Sequence, residues 1–447
     1  VLALLALLLR AGAFAAARLP IDAMPDVSTI QVSVITKAPG LSPLEVERTV
    51  TVPLEYELNG IPRGREFRSV SRSGLSMVTV IFADGTDVWF ARQLVVERLR
   101  NVVLSPVAEA PDLAPVSTGL GEIFQFVVRS ELHSPMQLRT LLDWEIVPRL
   151  RSVPGVIEVN TQGGELKQYQ VIVDPARLRA HQLTLGDVTA ALHAASMNVG
   201  GGYLERYGES FLIRGSGLLK SEGEIADVVV SAREPATPVL VGTVADVRVG
   251  PALRHGVTTY KGEGEAVAGV VMMLLGSNSR EVIHAVKERA GEIQRELPPG
   301  VTIDVVYDRS DFVGRTLRTV GKNLAEAVVI VTLVLAVFLG TIRGAFAVVL
   351  GIPASMSVAL IGMHAFGVTG DLMSLGAIDF GFLVDGPIVI LEAVLAGTAG
   401  KELVGLARRH AYAELAGRVA RPVGFAVAII TLVYVPLLAL EGIEGKM

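Results

Sequence analysis

The sequence has no cysteine, which excludes disulfides and thiolate metal sites and leaves no redox mark of compartment. It has no large excess of charge of either sign: a net charge of −5 over 447 residues gives no electrostatic footprint for nucleic acid. Nucleotide chemistry is missing as well. "GRTLRTVGKN" (314–323) resembles a phosphate loop, but six residues separate its glycines instead of four, and Asn323 replaces the Ser or Thr. No GxSxG, HExxH or EF-hand loop occurs. An enzyme therefore has no catalytic constellation here, and any transport must draw on an ion gradient or on another subunit.

What the chain has in quantity is apolar surface. Hydrophobic residues make up 51% and charged residues 19%, and the mean hydropathy is +0.50, high for a wholly soluble protein. The charges concentrate between Arg18 and Arg343. The first residue is Val1, inside the apolar run "VLALLALLLRAGAFAAA", and Met447 follows another such run, so both ends read as cut. The first run could be a signal peptide, with small residues before Arg18. Because long apolar runs recur downstream, it reads instead as a truncated first membrane helix, 1–18.

Residues 19–322 mix strand-like and helix-like patterns. "TIQVSVIT" alternates with period two, and "SPLEVERTVTVPLEYEL" has helical spacing behind Ser42 as N-cap. "REFRSVSRSGLSMVTVIF" predicts two strands around Gly74, then the helix "TDVWFARQLVVERLRNVV". A similar order recurs in "IFQFVVR", "SPMQLRTLLDWEIVPRL", "GVIEVNTQ", "KQYQVIVD" and "PARLRAHQL". Two β-α-β-β-α units in series predict ferredoxin-like, split βαβ subdomains. The strand "AVAGVVMMLL" and helix "SREVIHAVKERAGEIQREL" follow. Residues 323–447 then hold apolar runs at 324–341, 344–367, 372–397 and 423–440, each about the length of a membrane helix. The predicted class is an α+β membrane protein, a polytopic helix bundle of five spans with a large extramembrane domain. Arg343 after the second span, and Lys401, Arg408, Arg409, Arg418 and Arg421 after the fourth, place both loops in the cytoplasm by the positive-inside rule. Residues 19–322 then lie on the opposite side, the periplasm of a Gram-negative cell.

The fourth span contains "DFGFLVDGPIVILEA" (379–393), with three carboxylates where charge is otherwise avoided. One carboxylate at the centre of a bilayer costs roughly 2.5–3.5 kcal/mol. Asp385 falls near the midpoint, with Asp379 toward the outer leaflet and Glu392 toward the cytoplasm, in steps of roughly 9 and 10.5 Å. Asp385 and Glu392 share a helix face and Asp379 lies about 120° away, too far round for one ion to bind all three. A series of protonatable stations fits this spacing. Pro387, without an N–H, frees the carbonyl of Leu383 beside Asp385, and Gly381 and Gly386 let a neighbouring helix approach. The plainer alternative is that the acids pair with basic groups of other helices and only fix packing, but no intramembrane Lys is evident in this chain.

His364, near the outer end of the third span, reads as an interfacial or packed residue that could titrate. Met272 and Met273 are candidate thioether ligands for a soft metal. Adjacent strand residues point to opposite faces, so at least one of the two is ordinary core. Met24, Met77, Met136 and Met197 are scattered and point to nothing.

"LPIDAMPDVSTIQVSVITKAPGLSPLEVERTVTVPLE", "VIFADGTDVWFAR", "VDPARLRAHQLTLGDVTAAL", "NVGGGYLERYGESFLIRG", "GIPASMSVALIGM", "LMSLGAIDFGFLVDGPIVILE" and "PLLALEGIEGKM" resemble, in order, the resistance–nodulation–division transporters, specifically their heavy-metal efflux branch. The resemblance covers essentially the whole chain. It implies a proton-driven antiporter of the inner membrane, a homotrimer that joins a periplasmic adaptor and an outer-membrane channel to expel cations, with no cofactor. It implies that Asp379, Asp385 and Glu392 carry the proton relay. The first Asp matches pumps for divalent cobalt, zinc, cadmium or nickel, whereas copper and silver pumps tend to lack it. Residues of about 176–260 would form a docking subdomain, with "GGGYLERYGESFLIRG" at a contact between protomers.

The chain departs from the family at Pro387, where Ala is usual, at Ala393, where Asn follows the Glu, and at His364 and Asp371, where Asn is expected. A family member has two homologous halves, each with six spans, and this sequence matches the N-terminal one. The relay's basic partner and most of the substrate cleft would lie in the other half. Two rival functions remain at this stage: efflux of organic amphiphiles by a related branch, and a membrane-anchored assembly or binding module that moves nothing.

Overall fold

In the computed structural model, residues 2–19, 21–22, 27–231, 237–254, 256–366, 368, 370–371, 380–398 and 405–436 are described. The chain opens with the helix Leu2–Arg18 and the short strand β1 (Ile21–Asp22). A first unit follows, built on β2 (Gln31–Lys37), β3 (Gly64–Arg72), β4 (Leu75–Phe82) and β5 (Asp112–Leu113). Its antiparallel order is β3-β4-β2-β5. The period-two pattern sends Val32 and Val34 of β2 and Val78 and Val80 of β4 to one face. There they meet Val46, Val50, Leu54 and Leu58 of one helical segment and Ala91 and Val95 of another, Val88–Leu99. Gly74, at φ +72, turns the chain between β3 and β4.

The first of these helical segments begins with a capping box: the Glu45 N–H donates to the Ser42 hydroxyl, and the Ser42 N–H donates to the Glu45 carboxylate at 2.8 Å. It continues through a π-turn, Glu47–Thr51, in which the Val52 N–H reaches back to the Glu47 carbonyl, and Pro53 comes next. The second unit repeats the device. Ser134 caps with Gln137, the π-turn Leu142–Ile146 ends with the Val147 N–H on the Leu142 carbonyl, and Pro148 follows. In both, a wide turn carries the helix past a residue that has no N–H to donate.

The second unit starts with β6 (Glu122–Arg129) and β7 (Val156–Gly163). The expected continuation with "KQYQVIVD" and "PARLRAHQL" is corrected here. That strand, β8 (Lys167–Val173), leaves the sheet and opens an insertion. The insertion contains the hairpin β9 (Val199–Arg206) and β10 (Glu209–Gly215), the pair β11 (Val229–Ser231) and β12 (Val239–Leu240), and β13 (Ala245–Pro251), which pairs with β8. It has its own small core of Leu178, Val188, Val228, Val241 and Val244. The second sheet is completed only afterwards, by β14 (Val267–Met273) and β15 (Thr302–Asp308), in the order β15-β6-β14-β7. The helices around Leu142, Ile146 and Leu150 and along Ser279–Glu296 cover one face, packing on Phe124, Phe126 and Val271.

β15 runs straight into the helix Arg309–Leu339. Ile342–Val349, Gly351–Phe366, Phe380–Thr398 and Gly405–Tyr434 follow, and β16 (Gly370–Asp371) pairs with β1. Among the described residues three stretches are long and apolar enough to cross a membrane, Arg309–Phe338, Ile342–Phe366 and Gly405–Tyr434. Two expected boundaries are corrected. The helix holding span 324–341 begins at Arg309. The helix holding span 423–440 begins at Gly405, so Arg408, Arg409, Arg418 and Arg421 sit on a helix and not in a loop. The end of that span, like the start of 372–397, lies outside the described residues.

Candidate functional site

Asp385 and Glu392 lie on the helix Phe380–Thr398, seven residues apart, on one face; Asp379 lies outside the described residues. Val394 lies on the opposite side, with Leu391 on the flank and Ile388 next to the acids, three residues after Asp385 and four before Glu392. Ile388 and Leu391 pack against a cluster of Leu335, Ala345, Val348, Val349 and Ile352 from the preceding helices, and Val394 is buried. Small residues bring the following helix, Gly405–Tyr434, close as well: a Cβ on Gly386 would touch Val423 at 3.5 Å, and one on Gly397 would stand 2.7 Å from Leu415. The acids are on the side left exposed by the chain's own helices. Among the described residues no ion pair reaches either. Pro387 stands between them within the helix.

A second polar grouping lies on the open face of the second sheet. In register, Met272 of β14 is opposite Glu122 of β6 on one side and Glu158 of β7 on the other. The Asn160 amide donates to the Met272 sulfur at 3.0 Å, and the Gln125 amide donates to Glu122 at 3.0 Å. Met273 turns to the helix-covered face and joins the core. Two carboxylates and a thioether in one row offer hard and soft donors together, suited to a borderline divalent cation. Among the described residues no group of three His, Cys, Asp or Glu that could hold a metal ion converges.

Glu158 also lines a cleft of about 820 Å³ between the two units, with Lys37, Arg92, Glu109 and Asp112 from the first and Arg151 from the second. Burial pushes the Arg92 guanidinium below its ordinary value, against the opposing pull of Asp112, and Arg92 donates to the Ala114 carbonyl at 2.6 Å.

The sequence profile of the AcrB/AcrD/AcrF family matches residues 1–447. The chain belongs to the AcrB/AcrD/AcrF family. Among its relatives, the cation efflux system protein CzcA of Alcaligenes sp. (strain CT14) is 44% identical over 452 residues, covering 98% of this chain and 42% of that protein. The cation efflux system protein CusA of Escherichia coli (strain K12) is 36% identical over 445 residues, 96% of this chain and 42% of that protein. A crystal structure of a heavy metal efflux pump superposes with a TM-score of 0.91 at 34% identity, covering 99% of this chain and 44% of that one. The chain thus spans less than half the length of these members of the AcrB/AcrD/AcrF family.

Sequence reasoning missed Glu122 and Glu158. The alternation in "GVIEVNTQ" places Glu158 and Asn160 on one face, but only the long-range pairing of β6, β14 and β7 brings them beside Met272.

Proposed function

We propose that this chain belongs to a proton-driven heavy-metal efflux pump of the inner membrane and forms its N-terminal half. Asp379, Asp385 and Glu392 serve as proton stations, and divalent cations such as cobalt, zinc, cadmium or nickel are the cargo. The observation that carries the reading is the pair Asp385 and Glu392, on one uncovered face of an apolar helix. A carboxylate left in hydrocarbon is costly, so helices from outside these residues cover that face and supply the basic partner. The named relatives support the substrate class, and the row Glu122–Met272–Glu158 provides an extramembrane stopping place for a cation.

The strand orders β3-β4-β2-β5 and β15-β6-β14-β7, each with two helices on one face, support two ferredoxin-like subdomains on the periplasmic side. The second is interrupted by the docking insertion. The pump works as a homotrimer with a periplasmic adaptor and an outer-membrane channel, and the exposed hairpin β9–β10 makes the contact between protomers. The test is Asp385→Asn in the complete pump, reconstituted in liposomes with a pH-sensitive dye inside. Cation-driven proton flux is expected to vanish while cation binding persists, and flux that survives the substitution would overturn the relay. The fully exposed hairpin also favours a second reading, a membrane-anchored assembly module. That reading predicts complexes that never dissipate a proton gradient.

A further inference from the structure

The join between the second sheet and the membrane helix Arg309–Leu339 has no linker: β15 ends at Asp308 and the helix begins at the next residue. One carboxylate oxygen of Asp308 caps the helix, accepting the Ser310 N–H at 2.8 Å and the Ser310 hydroxyl at 2.6 Å. The other accepts the Lys287 ammonium at 2.5 Å, from the helix Ser279–Glu296 that covers the sheet. The Asp308 side chain is only 6% exposed, and Asp311 stands 4.0 Å from the same ammonium. Arg309 is 5% exposed and donates to the carbonyl of Leu120, two residues before β6. A cavity of about 120 Å³ lies beside this first turn between the two helices, lined by Arg280 and Ile283 of one and by Arg309, Ser310, Val313 and Leu317 of the other.

We infer that Lys287 and Asp308, with Arg309 on the Leu120 carbonyl, form a coupling joint that fixes the first turn of the membrane helix to the second sheet. Movement of that sheet is passed to the helix at this turn, and the cavity gives the helix room to tilt about it. The inference rests on the transport reading, since a pump has movement to pass between its parts. Lys287 and Asp308 are positioning residues and touch no cargo. Burial alone would raise the Asp308 carboxyl, but the Lys287 ammonium and the Ser310 hydroxyl and N–H outweigh it and hold it below the ordinary carboxylate range. The hydrogen bond to Asp308 raises Lys287 in turn, and Asp311 adds to the effect. The pair therefore stays charged at the pH values at which a proton-driven pump operates.

The absence of cysteine allows spin labels to be placed cleanly. Glu288→Cys and Asn323→Cys, both exposed, put one label on each helix of the full chain in lipid nanodiscs, and pulsed electron resonance reads the distance between them. One narrow distance is expected for the parent and for Lys287→Arg. Lys287→Met, and Asp308→Asn, which keeps a capping side chain, should each add a second, shifted population while the melting midpoint stays within a few degrees. An unchanged single distance in both variants would overturn the joint. So would loss of helical signal or early melting in Lys287→Met, which would make the pair a folding contact and nothing more. The distance is read without cation or gradient, so failure of the joint and failure of the efflux reading appear in different measurements.

Discussion

Thr36 sits on the helix-covered side of β2, fully buried, and its hydroxyl has no partner, the one such buried side-chain atom among the described residues. Thr51, equally buried, is different: its hydroxyl is bonded to those of Ser71 at 2.7 Å and Ser76 at 2.8 Å. An unsatisfied buried polar atom costs about 1–3 kcal/mol. Thr36→Val should therefore stabilise the chain by about 1 kcal/mol, whereas Thr51→Val should destabilise it, as thermal unfolding in detergent would show. Composition cannot separate the two threonines, because the difference lies in cross-strand partners. Lys287 and Asp308 give a pH signature at the same scale. A carboxyl lowered on folding adds stability that is present above its unfolded value of ~3.9 and is lost as pH falls through the folded value. A raised ammonium adds stability that is present below ~10.4 and is lost as pH rises through its folded value. The melting difference between the parent and Lys287→Met should then be flat from about pH 5 to 9 and shrink below about pH 4. A difference that changed between pH 6 and 8 would point to another group.

Elements were the most legible scale. Ser42, Asp87, Ser134 and Asp174 all cap helices, because a short polar side chain before an apolar periodic run is a local signal. Sheet membership is not local. "KQYQVIVD" looks like its neighbour "GVIEVNTQ", yet β8 pairs with β13, more than seventy residues away, and β7 pairs with β14. The start of the helix Gly405–Tyr434 was hidden for another reason. Its first half is too charged to be read as part of a span, although nothing in it breaks a helix before Pro422. The seat of the first helix was equally illegible, whereas the close approach at Gly386 was read from the sequence. Gly12 is buried against the helix Gly351–Phe366, where a Cβ would stand 2.4 Å from that of Ser357. With no hydrophobic drive between helices in lipid, such close approach holds the pair together. Gly12→Leu should cost about 1–3 kcal/mol through overpacking, read as a lowered melting midpoint, while the same change at exposed Ala13 should be nearly silent.

At the scale of the whole molecule, two surfaces are left uncovered by the described residues. The acid face of the helix Phe380–Thr398 is one, and its carboxylates were visible in the sequence because charge inside an apolar run is conspicuous. The row Glu122–Met272–Glu158 was not visible, because it joins residues up to 150 positions apart through sheet register. The other surface is the hairpin β9–β10. Every residue of both strands is exposed, including Tyr203, Leu204, Phe211 and Leu212. A lone two-stranded hairpin is at best marginally stable in water, and exposed apolar patches of this kind mark contacts with other proteins. Phe211 pairs with Leu204 and Leu212 with Tyr203, so both faces carry apolar side chains. Leu204→Glu with Phe211→Glu places like charges opposite each other on one face and touches none of the three cores of the extramembrane units. On the homotrimer proposed above, light scattering on the detergent-solubilised chain should show a trimer falling to a single 47.3 kDa chain, with circular dichroism unchanged. A trimer that survives the pair of substitutions would move the contact between protomers elsewhere and leave the hairpin to a different partner.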